Sequence, residues 1–160
     1  MEFKYIMIAI WVLTLIAAAV SDLRSFRIPN YLPGILILLF GINTVIAGVD
    51  ASLWENLFHF LAALIIGMGL FSRGWIGGGD AKLYAAVALW FNWTGAVVLI
   101  FATTIAGLVL AISFVAARML GLRKNVPKDD RRIPYGVAIA AGGILSAAWQ
   151  GWDRIFPAFN

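Results

Sequence analysis

Apolar residues in this chain run in long unbroken stretches separated by short polar or glycine-rich breaks. Continuous runs, rather than strict alternation, predict α-helices, and runs of roughly 17–25 residues are long enough to cross a bilayer. Such runs lie at Tyr5–Ser21, Tyr31–Val49 and Leu57–Ser72. After a glycine cluster a shorter run covers Asp80–Phe91, followed by Gly95–Ala117 and Tyr135–Trp149. The pattern predicts an all-α membrane protein, a bundle of six transmembrane helices making a single domain over residues 1–160. A cleavable signal peptide fits the first run poorly, because Asp22-Leu23-Arg24 follows it instead of a small-residue cleavage site.

Composition supports the membrane reading. The chain is 62% hydrophobic and only 12% charged, against about 25% charged in an ordinary soluble domain. With so little polar surface, its outer solvent must be lipid. Charge placement then orients the spans. Ten of the twelve basic residues fall in the loops after the first, third and fifth runs, with Arg24 and Arg27, Arg73 and Lys82, and six more between Arg118 and Arg132. The opposite side holds Lys4 and Arg154 together with Asp50 and Glu55. Under the positive-inside rule, six spans with both termini on the outer, periplasmic side satisfy this asymmetry. Fusing the fourth and fifth runs would put the basic 118–132 segment on the wrong side. Trp11, Trp54, Trp90, Trp93, Trp149 and Trp152 fall near the ends of the expected spans, as an aromatic belt would place them. The glycines of Gly67-Met68-Gly69 and Gly142-Gly143 are candidates for close helix approach.

The absence of cysteine excludes disulfides, thiolate metal sites and a cysteine nucleophile, and His59 is the lone histidine. A multi-histidine metal centre or a serine-histidine triad is therefore a poor expectation, and no cofactor, metal or nucleic acid is called for. The chemistry that remains lies in two carboxylates. Asp22 closes the first run and Asp80 opens the fourth, both on the side expected to be cytoplasmic. The fourth run is also short: its length as a helix is roughly 18 Å against a hydrocarbon core of about 30 Å. One solution is irregular backbone at Gly77-Gly78-Gly79 that descends to a helix start at Asp80 inside a wet cleft. Two carboxylates brought within about 3 Å share one proton, so one can act as general base on a water while the other hydrogen-bonds a carbonyl. Simpler readings stand beside this one. Asp80 at a helix start is also an ordinary cap, a triple glycine is also a flexible turn, and Asp22 could pair with Arg24 or Arg27.

Three segments resemble a known family. Asp22-Leu23-Arg24-Ser25-Phe26-Arg27-Ile28-Pro29-Asn30 resembles the aspartate-to-IPN segment of type IV prepilin peptidases. Gly77-Gly78-Gly79-Asp80-Ala81-Lys82 is similar to their GxGD motif with its following Ala-Lys, and the stretch from Ile133-Pro134-Tyr135-Gly136 to Gly142 to their third signature. The order of the motifs matches, and the resemblance covers essentially the whole chain. It implies a GxGD-type intramembrane aspartyl protease of the bacterial inner membrane, with Asp22 and Asp80 as the catalytic pair, removing the basic leader of a prepilin whose hydrophobic helix lies in the bilayer. Long members carry an added cytoplasmic segment with a cysteine-pair motif, associated with N-methylation. Here the first run starts almost at Met1 and cysteine is absent, so the chain resembles the short form serving Flp-type, tight-adherence pili and leaves N-methylation open.

Around the pair, Arg27, Pro29 and Asn30 are expected to shape the turn into the second helix, with Pro29 fixing φ and Asn30 as N-cap. Lys82 is expected to meet lipid phosphates or tune the aspartates, and the basic 118–132 segment to meet anionic headgroups. His59 reads as a packing or interfacial residue. Two other functions remain open at this stage. A small ion-coupled transporter would also use intramembrane carboxylates and broken helices, although both aspartates lie at one membrane face. A non-enzymatic envelope assembly subunit would need neither aspartate.

Overall fold

The computed structural model of the chain describes residues 2–48, 52–120 and 133–157. Six helices follow the six apolar runs: α1 (Glu2–Ser25), α2 (Tyr31–Ala47), α3 (Ser52–Ser72), α4 (Gly78–Ala88), α5 (Trp93–Met119) and α6 (Tyr135–Gln150). A single turn, α7 (Trp152–Ile155), comes after them, and no strand occurs among the described residues. Three helices, α1, α3 and α5, are long and apolar enough to cross a membrane, and α2 is a shorter apolar helix of 17 residues. Their outward side chains, among them Leu13, Ile65, Phe101 and Val109, are large, apolar and exposed. This is the surface of a protein solvated by lipid. Most of the basic 118–132 segment lies outside the described residues.

Several boundaries differ from the sequence expectation. α1 runs to Ser25 instead of stopping at Ser21, and the Phe26 amide still donates to the Asp22 carbonyl at 2.9 Å. The helix can absorb Asp22 because a partner for its carboxylate exists elsewhere in the bundle. α3 begins at Ser52, ahead of Leu57, with Glu55 in its first turn where a negative charge favours the helix dipole. Glu55 also accepts a hydrogen bond from the Trp93 amide at 3.4 Å, joining the start of α3 to the start of α5. α4 includes Gly78 and Gly79 as its first helical residues, so only Gly77 is extended, at φ −72° and ψ 142°. The expected run of irregular backbone is thus a single residue.

α4 is the centre of the bundle. It packs along α3 and also touches α2 and α6, while α6 packs against α5 and α1. Ala81, Leu83 and every residue from Ala85 to Phe91 are buried. The alanines keep the helix thin, and facing glycines let its neighbours close in, as van der Waals packing between helices in lipid requires. A Cβ on Gly67 would stand 3.0 Å from that of Ala81, and one on Gly143 would stand 3.0 Å from Val87 Cγ1. Between α5 and α6 the approach is closer still, since a Cβ on Gly142 would lie 2.7 Å from the backbone Cα of Thr103. Gly69 and Gly41 meet nothing, so these two glycines do not serve close approach.

The shortness of α4 is resolved at its C-terminal end. The chain turns at Leu89 and Trp90, and the Trp90 ring packs against Trp11, Phe40 and Phe156 with centroids 6.0, 5.5 and 4.9 Å away. Trp11 also meets Trp152 edge-on at 6.1 Å. Each such aromatic pair contributes about 0.5–1.5 kcal/mol beyond its area. The turn's polar groups are also answered. Trp90 Nε1 donates to the Leu36 carbonyl at 3.2 Å, and His59 Nδ1 donates to the Phe91 carbonyl at 2.8 Å. Asn43 Nδ2 reaches the Ile155 carbonyl at 3.4 Å, and Lys4 pairs with Asp153, fastening α7 across the same end. The aromatic-belt reading therefore fails for Trp11 and Trp90, which are buried core residues. Trp54, Trp93 and Trp149 are exposed. His59 is a buried packing residue.

The glycine contacts make a stability prediction. Gly142→Ala forces a methyl onto the Thr103 backbone and should destabilise the protein by about 1–3 kcal/mol. Gly69→Ala, which meets open space, should leave the melting temperature in detergent unchanged. Equal melting of the two variants would contradict this packing of α5 on α6.

Candidate active site

Both aspartates lie at the same end of the bundle, each held by a helix N-terminus. Asp80 is the third helical residue of α4, with Gly77 as the N-cap. Its carboxylate turns back and takes a hydrogen bond from the Gly77 backbone amide, which is the reciprocal half of a capping box. The contact is close enough that a Cβ on Gly77 would lie 2.7 Å from Asp80 Oδ2. Glycine is needed there for room. Asp80 as a cap and Asp80 as a cleft carboxylate are the same arrangement.

Asp22 sits in the last turn of α1, where the helix dipole disfavours a negative charge. It is only 5% exposed. The compensation comes from another helix. The Gly136 amide, one of the unsatisfied donors in the first turn of α6, donates to Asp22 Oδ2 at 2.7 Å. A Cβ on Gly136 would fall 2.9 Å from that oxygen and 2.8 Å from Ile28 Cδ1. Asp22 therefore caps α6 and does not pair with Arg24 or Arg27.

Phe26, Arg27 and Ile28 form the turn beside the pair. Phe26 has φ 52°, an uncommon left-handed conformation for a bulky residue. Hydrogen bonds from Ser21 Oγ and Ser25 Oγ to the Arg27 carbonyl, at 2.8 and 3.4 Å, hold the turn in place. Ile28 then packs on Gly79, whose Cβ would lie 3.1 Å from Ile28 Cβ. Asp22, Asp80, the Phe26–Ile28 turn and the three glycines line one cleft of about 300 Å³. The carboxylates are near enough for Asp80 to feel the charge of Asp22.

Other candidates take different places. Pro29 is half-buried, and its carbonyl accepts from the Leu32 amide at 3.1 Å. Asn30 stands at the N-cap position of α2, but in helical conformation and without a side-chain cap bond. Its Oδ1 instead accepts from Lys82 Nζ at 3.1 Å, tying the α2 entry to α4. The Asn30 side chain therefore does not cap α2. Pro134 is buried just ahead of α6, and its carbonyl accepts from the Val137 amide at 3.2 Å.

A second cavity of about 550 Å³ meets the first at Asp80. It is lined by apolar side chains of α3, α4, α5 and α6, with Tyr84 and Tyr135 as its phenols. Tyr135 lies over Gly107, where a Cβ would be 2.8 Å from its Oη. Sequence reasoning did not find this cavity or the Gly136 amide. The only hints were small residues spaced along α3 and α5 and a glycine following Pro134-Tyr135.

The bundle and the cleft together describe an all-α membrane protein that gathers two carboxylates from separate helices. Residues 8–112 match the type IV leader peptidase family, and the chain belongs to that family. Over 105 residues it is 25% identical to a prepilin leader peptidase/N-methyltransferase of Legionella pneumophila, covering 64% of this chain. The same alignment covers 31% of that protein, so the chain spans about a third of the relative's length. No solved structure matches. The family match contains both aspartates and the glycine run but ends before Gly136.

The cleft geometry can be checked directly because the chain has no cysteine. Phe26→Cys with Asp80→Cys should be bridged by a short bifunctional thiol reagent, whereas Phe26→Cys with Ile65→Cys should not. Intramolecular linkage is read from altered gel mobility. No linkage in the first pair would mean the turn and the start of α4 do not share a cleft.

Proposed function

We propose that this chain is an intramembrane aspartyl endopeptidase that removes the basic leader peptide from type IV, Flp-type prepilins at the cytoplasmic face of the bacterial inner membrane. Asp22 and Asp80 are the catalytic pair, within a single peptidase domain over residues 1–160. The observation that carries the reading is the convergence of the two carboxylates on one glycine-floored cleft. Family membership supports it.

The chemistry follows from what each group can do. A water between the aspartates gives its proton to the ionised carboxylate as its oxygen attacks the scissile carbonyl carbon. The protonated carboxyl donates to the carbonyl oxygen as that oxygen gains charge. The tetrahedral intermediate collapses with the C–N bond breaking, and the leaving amine takes up a proton from the pair. Gly136 and Gly77 hold the carboxylates in place, and the absence of side chains at Gly77, Gly78 and Gly79 lets an extended substrate backbone approach. Arg27, Pro29, Asn30, Lys82 and Pro134 shape the surrounding turns. The prepilin is the protein partner, and lipid surrounds the rest, with anionic headgroups facing the basic 118–132 segment.

The proposed topology has six spans with both termini periplasmic. Reporter fusions after Arg27, Gly78 and Lys124 should read as cytoplasmic, and fusions after Asp50 and Arg154 as external. A cytoplasmic reading at Arg154 would break the six-span arrangement.

The activity is tested by co-expression with a tagged prepilin, scoring leader removal by gel shift. Groups that act as a unit show non-additive losses. Asp22→Asn, Asp80→Asn and the double variant should each lower cleavage by roughly 10³-fold or more, while all three still insert in the membrane. Normal processing by an inserted Asp80→Asn variant would end the aspartyl peptidase reading.

A further inference from the structure

Asp80 belongs to two cavities of opposite character. On one side is the glycine-floored cleft of about 300 Å³ with both carboxylates. On the other is the apolar chamber of about 550 Å³. The chamber is a slot rather than a ball. Along α3 its wall extends from His59 to Leu70, roughly 17 Å at 1.5 Å per residue. An elongated apolar slot of this length matches the side chains along about three turns of a helix.

The slot is also open sideways. α3 and α5 touch only sparsely, and the residues at its lips, Ile66, Val97 and Ile100, are more than half exposed. Its floor is kept open by small residues, with Ala62, Ala63 and Gly67 on α3 and Ala96 on α5. An apolar slot that runs lengthwise between helices, opens laterally and ends at a carboxylate has the form of a helix-in-groove site.

We propose that this slot is the docking site for the apolar transmembrane helix of the substrate, which leans in between α3 and α5 and seats one face of large side chains there. The inference rests on the peptidase reading above and extends it to the recognition of the membrane-embedded part of the substrate. Continuity with the candidate catalytic cleft argues for this occupant over an acyl chain. A helix seated in the slot delivers the backbone at its end to Asp80, whereas a lipid tail has no reason to finish there. Selectivity then resides in the fit of apolar side chains to the slot, separately from the leader in the polar cleft.

Two measurements test this, using the full chain in membranes. The first compares Ala62→Phe, which fills the slot, with Ile65→Phe, which adds the same ring on the lipid-facing side of α3. Two prepilins are offered, one native and one with the large side chains on the docking face of its helix trimmed to alanine. Ala62→Phe should cut the native prepilin at least tenfold more slowly than the unsubstituted chain, yet cut the trimmed one within about twofold of it. Ile65→Phe should match the unsubstituted chain on both. Equal effects of Ala62→Phe on the two substrates would overturn the slot as their docking site.

The second measurement does not depend on filling the slot. In this cysteine-free chain, Ile66→Cys should form a disulfide with a cysteine placed midway along the substrate helix, at least fivefold more than Ile65→Cys does. Equal trapping at the two neighbouring positions would mean that lipid, not the substrate helix, occupies the slot. Failure of the parent reading looks different: the unsubstituted chain would cut neither prepilin, and this inference would fall with it.

Discussion

A carboxylate in a membrane protein needs a donor, and at this site each donor is the N-terminus of a helix. Asp80 folds back onto the Gly77 amide at the start of α4, and Asp22 accepts the Gly136 amide at the start of α6. Helix starts offer unsatisfied N–H groups and a positive dipole end. The two helices thus supply in protein what water supplies elsewhere. The cost falls on sequence: neither Gly77 nor Gly136 has room for a side chain, because one would strike the carboxylate its amide serves. The glycines at the site are consequences of hydrogen bonding at close range.

This arrangement requires α4 and α6 to start at the same level as the last turn of α1. α4 itself is only 11 residues, about 16 Å long, and the chain leaves it as a turn while still inside the bundle. The Leu89–Asn92 turn lies against Trp11, Phe40 and Phe156, with the His59 and Trp90 rings meeting backbone carbonyls. Buried non-helical backbone needs such partners for its polar groups. The aromatic cluster at one end of α4 and the carboxylates at the other are therefore two parts of one solution.

The six apolar runs were legible because lipid-facing helices need continuous hydrophobicity, and their order and approximate limits carry over into α1–α6. Limits failed where a polar residue has a tertiary partner. Asp22 stays inside α1 because Gly136, more than a hundred residues away, satisfies it. The three glycines read as broken backbone, yet two of them are helical, since glycine's permissiveness says nothing about which conformation it will adopt. Trp11 and Trp90 were misassigned because a tryptophan at a helix end and one in a cage look the same in sequence. Asp22 and Asp80 were legible as uncomfortable charges, and the resemblance joined them. The amides that hold them, having no side chain to read, were not.

The position of Asp80 follows from the same geometry. As the third residue of a helix that starts inside the bundle, it faces the glycine turn on one side and the neighbours of α4 on the other. α3, its main neighbour, touches α5 only sparsely, so the apolar slot forms where packing is left incomplete. Filling it with larger residues at Ala62, Ala63 or Ala96 would give the bundle more contacts, and small side chains there forgo that stability. In lipid, where association depends on packing rather than on escape from water, an unfilled seam between helices carries a real cost. A seam that also ends on a carboxylate is best understood as space kept for another helix.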